Sequence, residues 1–157
     1  MDRRSSFTDI EYSMRKQIGT REEFLNKLET VIDWEVLTGI VKPFYPQGDR
    51  GRPVKPLDVM IRMYLVQNWF GFSAAGTEGA VYDSYAFRKF IGVSFLEEQV
   101  PDSNTLCRFR RLLKKNGLEE QIFATVDLAL KKAGMKLTPG SAVEPRLRSA
   151  AKKKNKT

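Results

Sequence analysis

The chain has 157 residues, 41% of them hydrophobic, and 27 lysines and arginines against 19 acids give it a net charge of +8. That length allows one domain with a real core plus tails, and the charge favours polyanionic partners. The lack of histidine excludes Ser-His-Asp and Cys-His catalysis and every histidine-containing metal site, and a single cysteine excludes internal disulfides and thiolate clusters, so no cofactor is expected.

Residues 1–19 are polar and carry no sustained period, which predicts an extended arm with a short helix near residues 11–17. No apolar run follows the first charges, so a secretory leader is not expected, and the lone cysteine fits a cytoplasmic setting. The first clear helix opens at Thr20, with Glu23 three residues on in capping-box spacing. Its apolar stripe is Phe24, Leu25, Leu28, Val31 and Ile32. Asp33 can cap a second helix over residues 34–41, which Pro43 ends. Residues 43–56 hold four prolines and two glycines and read as a stiff loop. Its Arg50 and Arg52 suit a path along phosphates; a rigid connector is the alternative.

Pro56 can start the next helix, which runs to about Phe70. Leu57, Met60, Ile61, Tyr64, Leu65 and Trp69 take one broad side, and Val59, Met63 and Val66 partly fill the other. A helix apolar most of the way round belongs at the centre of a core. Arg62, Gln67 and Asn68 interrupt it, so it is too polar and too short to span a bilayer, and no membrane partner is expected. Ser73 caps a helix over 74–83 that Gly76 and Gly79 loosen, and residues 84–91 follow as a helix with Arg88 and Lys89 outward. Residues 92–100 read as a loop.

The most informative stretch comes next. Pro101 disfavours helix before it, Asp102 is a good N-cap, and Gly117 suits the position past the C-terminal end. On a 3.6-residue period, Leu106, Phe109, Leu112 and Leu113 share one arc. Asn104, Arg108, Arg111 and Lys115 share the opposite arc, with Ser103, Cys107, Arg110 and Lys114 beside them. This polar side holds five cations and no acid, where ordinary surface helices mix signs. It suits a helix lying in a DNA major groove, with Asn104, Cys107, Arg108 and Arg111 at base edges and Arg110, Lys114 and Lys115 at phosphates. A solvated face on a core helix is the bland alternative.

A further helix over 118–133 carries Leu118, Ile122, Val126, Ala129 and Leu130, and Gly134 ends it. Residues 135–143 can form a short extended segment. Residues 146–157, with Lys152, Lys153 and Lys154, read as a disordered basic tail suited to phosphate contact. The expected architecture is an all-α bundle of about seven helices with a helix-turn-helix-like basic helix.

With these landmarks placed, the order of motifs resembles the N-terminal region of DDE transposases of the insertion-sequence-5 type. The matching runs are Lys42-Pro-Phe-Tyr-Pro46, Arg50-Gly-Arg-Pro53, Pro56-Leu-Asp-Val-Met-Ile-Arg62, Tyr82-Asp-Ser-Tyr-Ala-Phe-Arg88, Phe90-Ile-Gly-Val93, Val100-Pro-Asp-Ser-Asn-Thr-Leu106 and Arg108-Phe-Arg-Arg-Leu-Leu113. The resemblance implies a helical DNA-binding and protein-interaction domain ahead of a ribonuclease-H-like catalytic domain with three metal-binding carboxylates. At the first carboxylate this chain reads Gly140-Ser-Ala-Val-Glu-Pro-Arg146, with Glu144 in place of the family's Asp. Two-metal phosphoryl transfer needs several converging acids, so no catalytic residue, metal or enzymatic activity is expected. The resulting division is an arm (1–19), a helical DNA-binding domain (20–134), and a truncated linker with the start of a lost catalytic domain and a basic tail (135–157). The expected partner is double-stranded DNA at transposon ends, in the cytoplasm and on the nucleoid. The alternative function is a multimerisation module, acting through a homo-oligomer or on full-length transposase.

Overall fold

The computed structural model describes residues 7–15, 17–47, 54–96, 99–140 and 144–149. Among them are eight α-helices, a one-turn 3-10 helix and one small hairpin: α1 (Phe7–Ser13), α2 (Thr20–Val31), α3 (Trp34–Val41), α4 (Leu57–Phe70), α5 (Ala74–Asp83), α6 (Tyr85–Ile91), α7 (Ser103–Lys115), α8 (Leu118–Lys132), β1 (Met135–Thr138) and β2 (Arg146–Ser149). The expected all-α bundle is what the chain forms.

Helix α4 is the axis of the fold. Every residue from Val59 to Gln67 is buried, as are Trp69 and Phe70. Helices α3, α5, α6 and α7 pack around it, α2 packs on α6, and α8 packs on α3 and α7. Each leucine or phenylalanine enclosed this way contributes about 1.5–3 kcal/mol. Aromatic rings interlock through the centre: Phe24 meets Trp69 and Phe70 edge-on, and Phe70 meets Phe87 at 4.8 Å.

The one cation on α4 is enclosed rather than solvated. Arg62 is only 5% exposed. Its guanidinium donates to both carboxylate oxygens of Glu29 and to the carbonyl of Phe90, at 2.8 Å. It also lies over the Trp34 ring, 3.9 Å from the centroid, with the Phe90 ring at 5.2 Å. One side chain thereby fastens α2, α3, α4 and α6, which is how a buried arginine is tolerated.

Capping follows the sequence in most places. Asp33 Oδ1 accepts from the backbone of Glu35 and Val36, and Ser73 Oγ accepts from Gly76. The capping box at Thr20 does not form. Gly19 is the N-cap of α2 and Thr20 is already inside the helix, so its hydroxyl is past the position that can close the box.

Two regions differ from expectation more deeply. Residues 7–15 are not an extended arm: α1 starts at Phe7, earlier than residues 11–17 predict, and it is docked. Tyr12 stacks on Tyr85 at 3.8 Å, Asp9 accepts from the Tyr85 hydroxyl, and Arg15 reaches buried Glu22. The other oxygen of Glu22 lies 3.7 Å from Lys89 Nζ, an ion-pair distance rather than a hydrogen bond. Burial, helped by Asp9, pushes the Tyr85 phenol well above its usual range.

The second correction is at the other end. Residues 146–149 are not part of a disordered tail. They form β2, antiparallel to β1, with Leu137 opposite Leu147 and Lys136 opposite Arg148. Met135, Leu137 and Leu147 lie against the helical core, and Pro145, buried, precedes the strand. Proline is tolerated there because a two-stranded ribbon has only edge strands. The connection is tied down by the Gly140 N–H, which donates to the Trp69 carbonyl at 2.7 Å, and by the ion pair of Arg21 with Glu144.

Candidate nucleic-acid interface

Helix α7 has the ends its sequence calls for. Asp102 Oδ1 accepts from both the backbone N–H and the hydroxyl of Thr105, each at 2.7 Å. These bonds, with Arg108 and Lys55 nearby, hold the Asp102 carboxyl below its ordinary range. Gly117, at φ 65°, takes the left-handed conformation and passes the chain directly into α8.

One side of α7 builds the core and the other does not. Leu106, Phe109 and Leu113 are buried, and Leu112 is half-buried. Phe109 meets the rings of Tyr45 and Tyr64 edge-on. Opposite them, Asn104, Arg108, Arg111, Lys114 and Lys115 are exposed. Among the described residues, none of these four cations is in an ion pair with a carboxylate. Ser103 and Cys107 are half-buried at the margin.

Arg110 sits differently from its neighbours. It is half-buried, with its Nε enclosed and unpartnered. It lies near the Tyr64 phenol, which donates to Glu119 at 2.7 Å, and burial with that bond pushes the phenol well above its usual range. Arg110 therefore belongs to the junction of α4, α7 and α8 as much as to the outer face. The 3.6-residue period shows why: it puts Arg110 on the border of the Leu106 arc.

The N-terminal end of α7 is acidic. Asp102 occupies the Thr105 N–H, and Glu78 of α5 accepts the Ser103 N–H at 2.8 Å. Both carboxylates suit the positive end of the helix dipole. They occupy the helix terminus itself, while the side chains of Asn104, Arg108 and Arg111 stay exposed along the outer side. Beside this end, Lys55 Nζ donates to the Gln99 carbonyl and the Tyr45 hydroxyl donates to the Lys55 carbonyl. Burial pushes the Tyr45 phenol up to about 12. Lys55 thus joins the cations around α7, which no spacing along the sequence shows. Arg50, Arg52, Lys152, Lys153 and Lys154 lie outside the described residues.

The geometry is not that of a tight helix-turn-helix, whose two helices are joined by a three- or four-residue turn. Helix α6 ends at Ile91 and α7 begins at Ser103. Helix α5 packs against α7, as do α4 and α8, and Glu78 joins α5 to the first residue of α7.

Away from α7, a shallow groove of roughly 520 Å³ is lined by Tyr12, Arg15, Arg21, Glu22, Asp83 and Glu144 among others. Its arginines are paired, Arg15 with Glu22 and Arg21 with Glu144, so it presents no field of one sign. Among the described residues, no group of three or more His, Cys, Asp or Glu is placed to hold a metal ion, and no helix is long and apolar enough to cross a membrane.

Residues 12–112 match the family described as Transposase domain (DUF772). No solved structure matches the chain.

Proposed function

Because the chain belongs to the transposase domain family, which gives it a role in transposition, we propose that it binds double-stranded DNA through the outer face of α7 and recognises the terminal inverted repeats of a transposable element of the insertion-sequence-5 type. The observation that carries this reading is the exposed, acid-free side of α7, with four cations outside any ion pair among the described residues. The fold does not need that side, since the buried side of α7 supplies its packing. Asn104, Arg108 and Arg111 lie towards the first three turns, where a helix entering the major groove meets base edges. Lys114 and Lys115, in the last turn, suit phosphates. Helical residues 20–134 form the binding unit in this reading.

The same reading assigns binding to this chain and not strand cleavage. Glu144, which stands at the first acidic position of the resembled family, is engaged with Arg21. A metal-dependent nicking assay tests this part, and nicking that disappears in Glu144→Gln overturns it.

The DNA reading is tested by gel shift, with inverted-repeat duplex against scrambled duplex at two salt concentrations. Tighter binding to the repeat is expected, with both complexes weakening as salt rises. Equal affinity for both duplexes at both salts would reject sequence recognition, and no shift at all would reject DNA binding.

One observation favours multimerisation as a second reading. Tyr82 and Phe95 stack on each other at 5.6 Å in the open, Arg88 covers Phe95, and Leu96 beside them is 86% exposed. Exposed apolar groups gathered this way suit a protein partner, whether a second copy or a full-length transposase. Sedimentation of the wild-type chain against a Phe95→Ser, Leu96→Ser variant separates the two readings.

A further inference from the structure

We infer that the outward face of the β1–β2 ribbon is a second contact surface for the DNA phosphate backbone, formed by Lys136, Arg146 and Arg148. The inference rests on the DNA-binding reading of α7 and adds a site on a different element. The pairing of the strands decides which side chains share a face. Leu137 stands opposite Leu147 and Met135 opposite Ser149; the three apolar members of these pairs lie against the core. The alternation of side chains then turns Lys136, Thr138, Arg146 and Arg148 the other way, and all four are exposed. Lys136 is directly across from Arg148, and Arg146 is across from Thr138. The outer face is therefore three cations and a hydroxyl, with no acid.

Like charges directly opposite on a ribbon repel and lower its stability. Two further cations, Lys131 and Lys132, are exposed in the last turn of α8, just ahead of β1. Glu144, the nearest acid in sequence to β2, is taken by Arg21. An arrangement that costs folding energy and concentrates one sign is relieved by a polyanion. The ribbon is also fixed in place, by its apolar inner face, by Gly140 on the Trp69 carbonyl and by the Arg21–Glu144 pair. A braced ribbon with a basic outer face presents its cations to phosphates at little further cost in conformational freedom. Helix α8 spans about 22 Å at 1.5 Å per residue, so the ribbon meets phosphates well away from those beside Lys114 and Lys115 at the α7–α8 turn.

The test uses the full chain and a labelled random-sequence duplex, titrated over a salt series. In the Lys136→Gln, Arg146→Gln, Arg148→Gln variant, the slope of log affinity against log salt should become shallower by roughly two to three, at about 0.9 per phosphate contact. Its melting temperature should hold or rise, because cross-strand repulsion is removed. Lys136→Gln alone should change the slope by about one without lowering the melting temperature. An unchanged slope overturns the inference, and so does a fall in melting temperature, which would mark the cations as part of the fold. A wild-type chain that binds no duplex removes the α7 reading and this one together. If Arg108→Ala, Arg111→Ala weakens binding while the ribbon variant keeps the wild-type slope, only the ribbon proposal falls.

Discussion

Helix α4 and helix α7 are almost equal in length, 14 and 13 residues, yet they are specified in different ways. Helix α4 is enclosed on nearly every side, so packing dictates each position, including its arginine, which two rings and Glu29 hold. Only Leu106, Phe109 and Leu113 of α7 are fully buried. The outer side, from Asn104 through Arg108 and Arg111 to Lys114 and Lys115, is exposed and free of packing constraints, and a side whose charges are all cations calls for a reason outside the fold. The two helices teach that a ligand surface is best sought where an element has satisfied its structural role with half of its residues.

The contrast breaks most sharply in the core. Leu65→Ala on α4 and Leu106→Ala on the inner side of α7 should each destabilise the domain by about 2–5 kcal/mol, read by urea unfolding. A melting shift near zero for Leu65→Ala would show that α4 is not the axis. Glu29→Gln comes next. It leaves Arg62 enclosed without its charged partner and should cost about 1.5–3 kcal/mol, as for hydrogen bonds to charged groups.

The outer side of α7 should respond in another currency. Arg108→Ala and Arg111→Ala should change stability by less than about 0.5 kcal/mol, while each lowers discrimination between right and wrong duplexes by about 1–3 kcal/mol. Competition binding with inverted-repeat and scrambled DNA reads this directly. Full specific binding by the double variant would end the recognition-helix reading and leave multimerisation in front.

The smallest effect concerns the cap. The Asp102 carboxyl is held below its ordinary value of 3.8 by its bonds to Thr105. A depressed acid stabilises the fold above its unfolded value, and that contribution disappears as pH falls through its folded value. Asp102→Ala should therefore melt below wild type at neutral pH, and the gap should narrow in acid. A gap that stays constant from neutral pH to well below 3.8 would show that the carboxylate is not what the cap uses.

The helical part of this domain was legible because its cues are local. Periodicity finds α4, α7 and α8, and Asp33, Ser73 and Asp102 announce the starts of their helices. Contacts between distant stretches left no such trace. The Tyr12–Tyr85 stack turns the N-terminal segment into a docked helix, and nothing near Tyr12 announces it. The C-terminal ribbon was hidden because its strands are short and rich in Lys and Arg, a composition shared with disordered tails. On α7, composition identified the outer face, but only the fold shows Arg110 turned towards Tyr64 and Lys55 arriving from outside the helix.

The hydrogen bond from Gly140 to the Trp69 carbonyl also bears on the order in which the protein is built. Helix α4 leaves the ribosome long before residue 140 does, so its last turn lacks this donor while most of the bundle is already present. Helices α4, α5 and α6 can collapse early, using contacts close in sequence. The ribbon must then close over a long stretch of chain, and such non-local contacts form late. Synthesis would thus yield a packed helical centre first, with the last turn of its central helix completed only once Gly140 arrives.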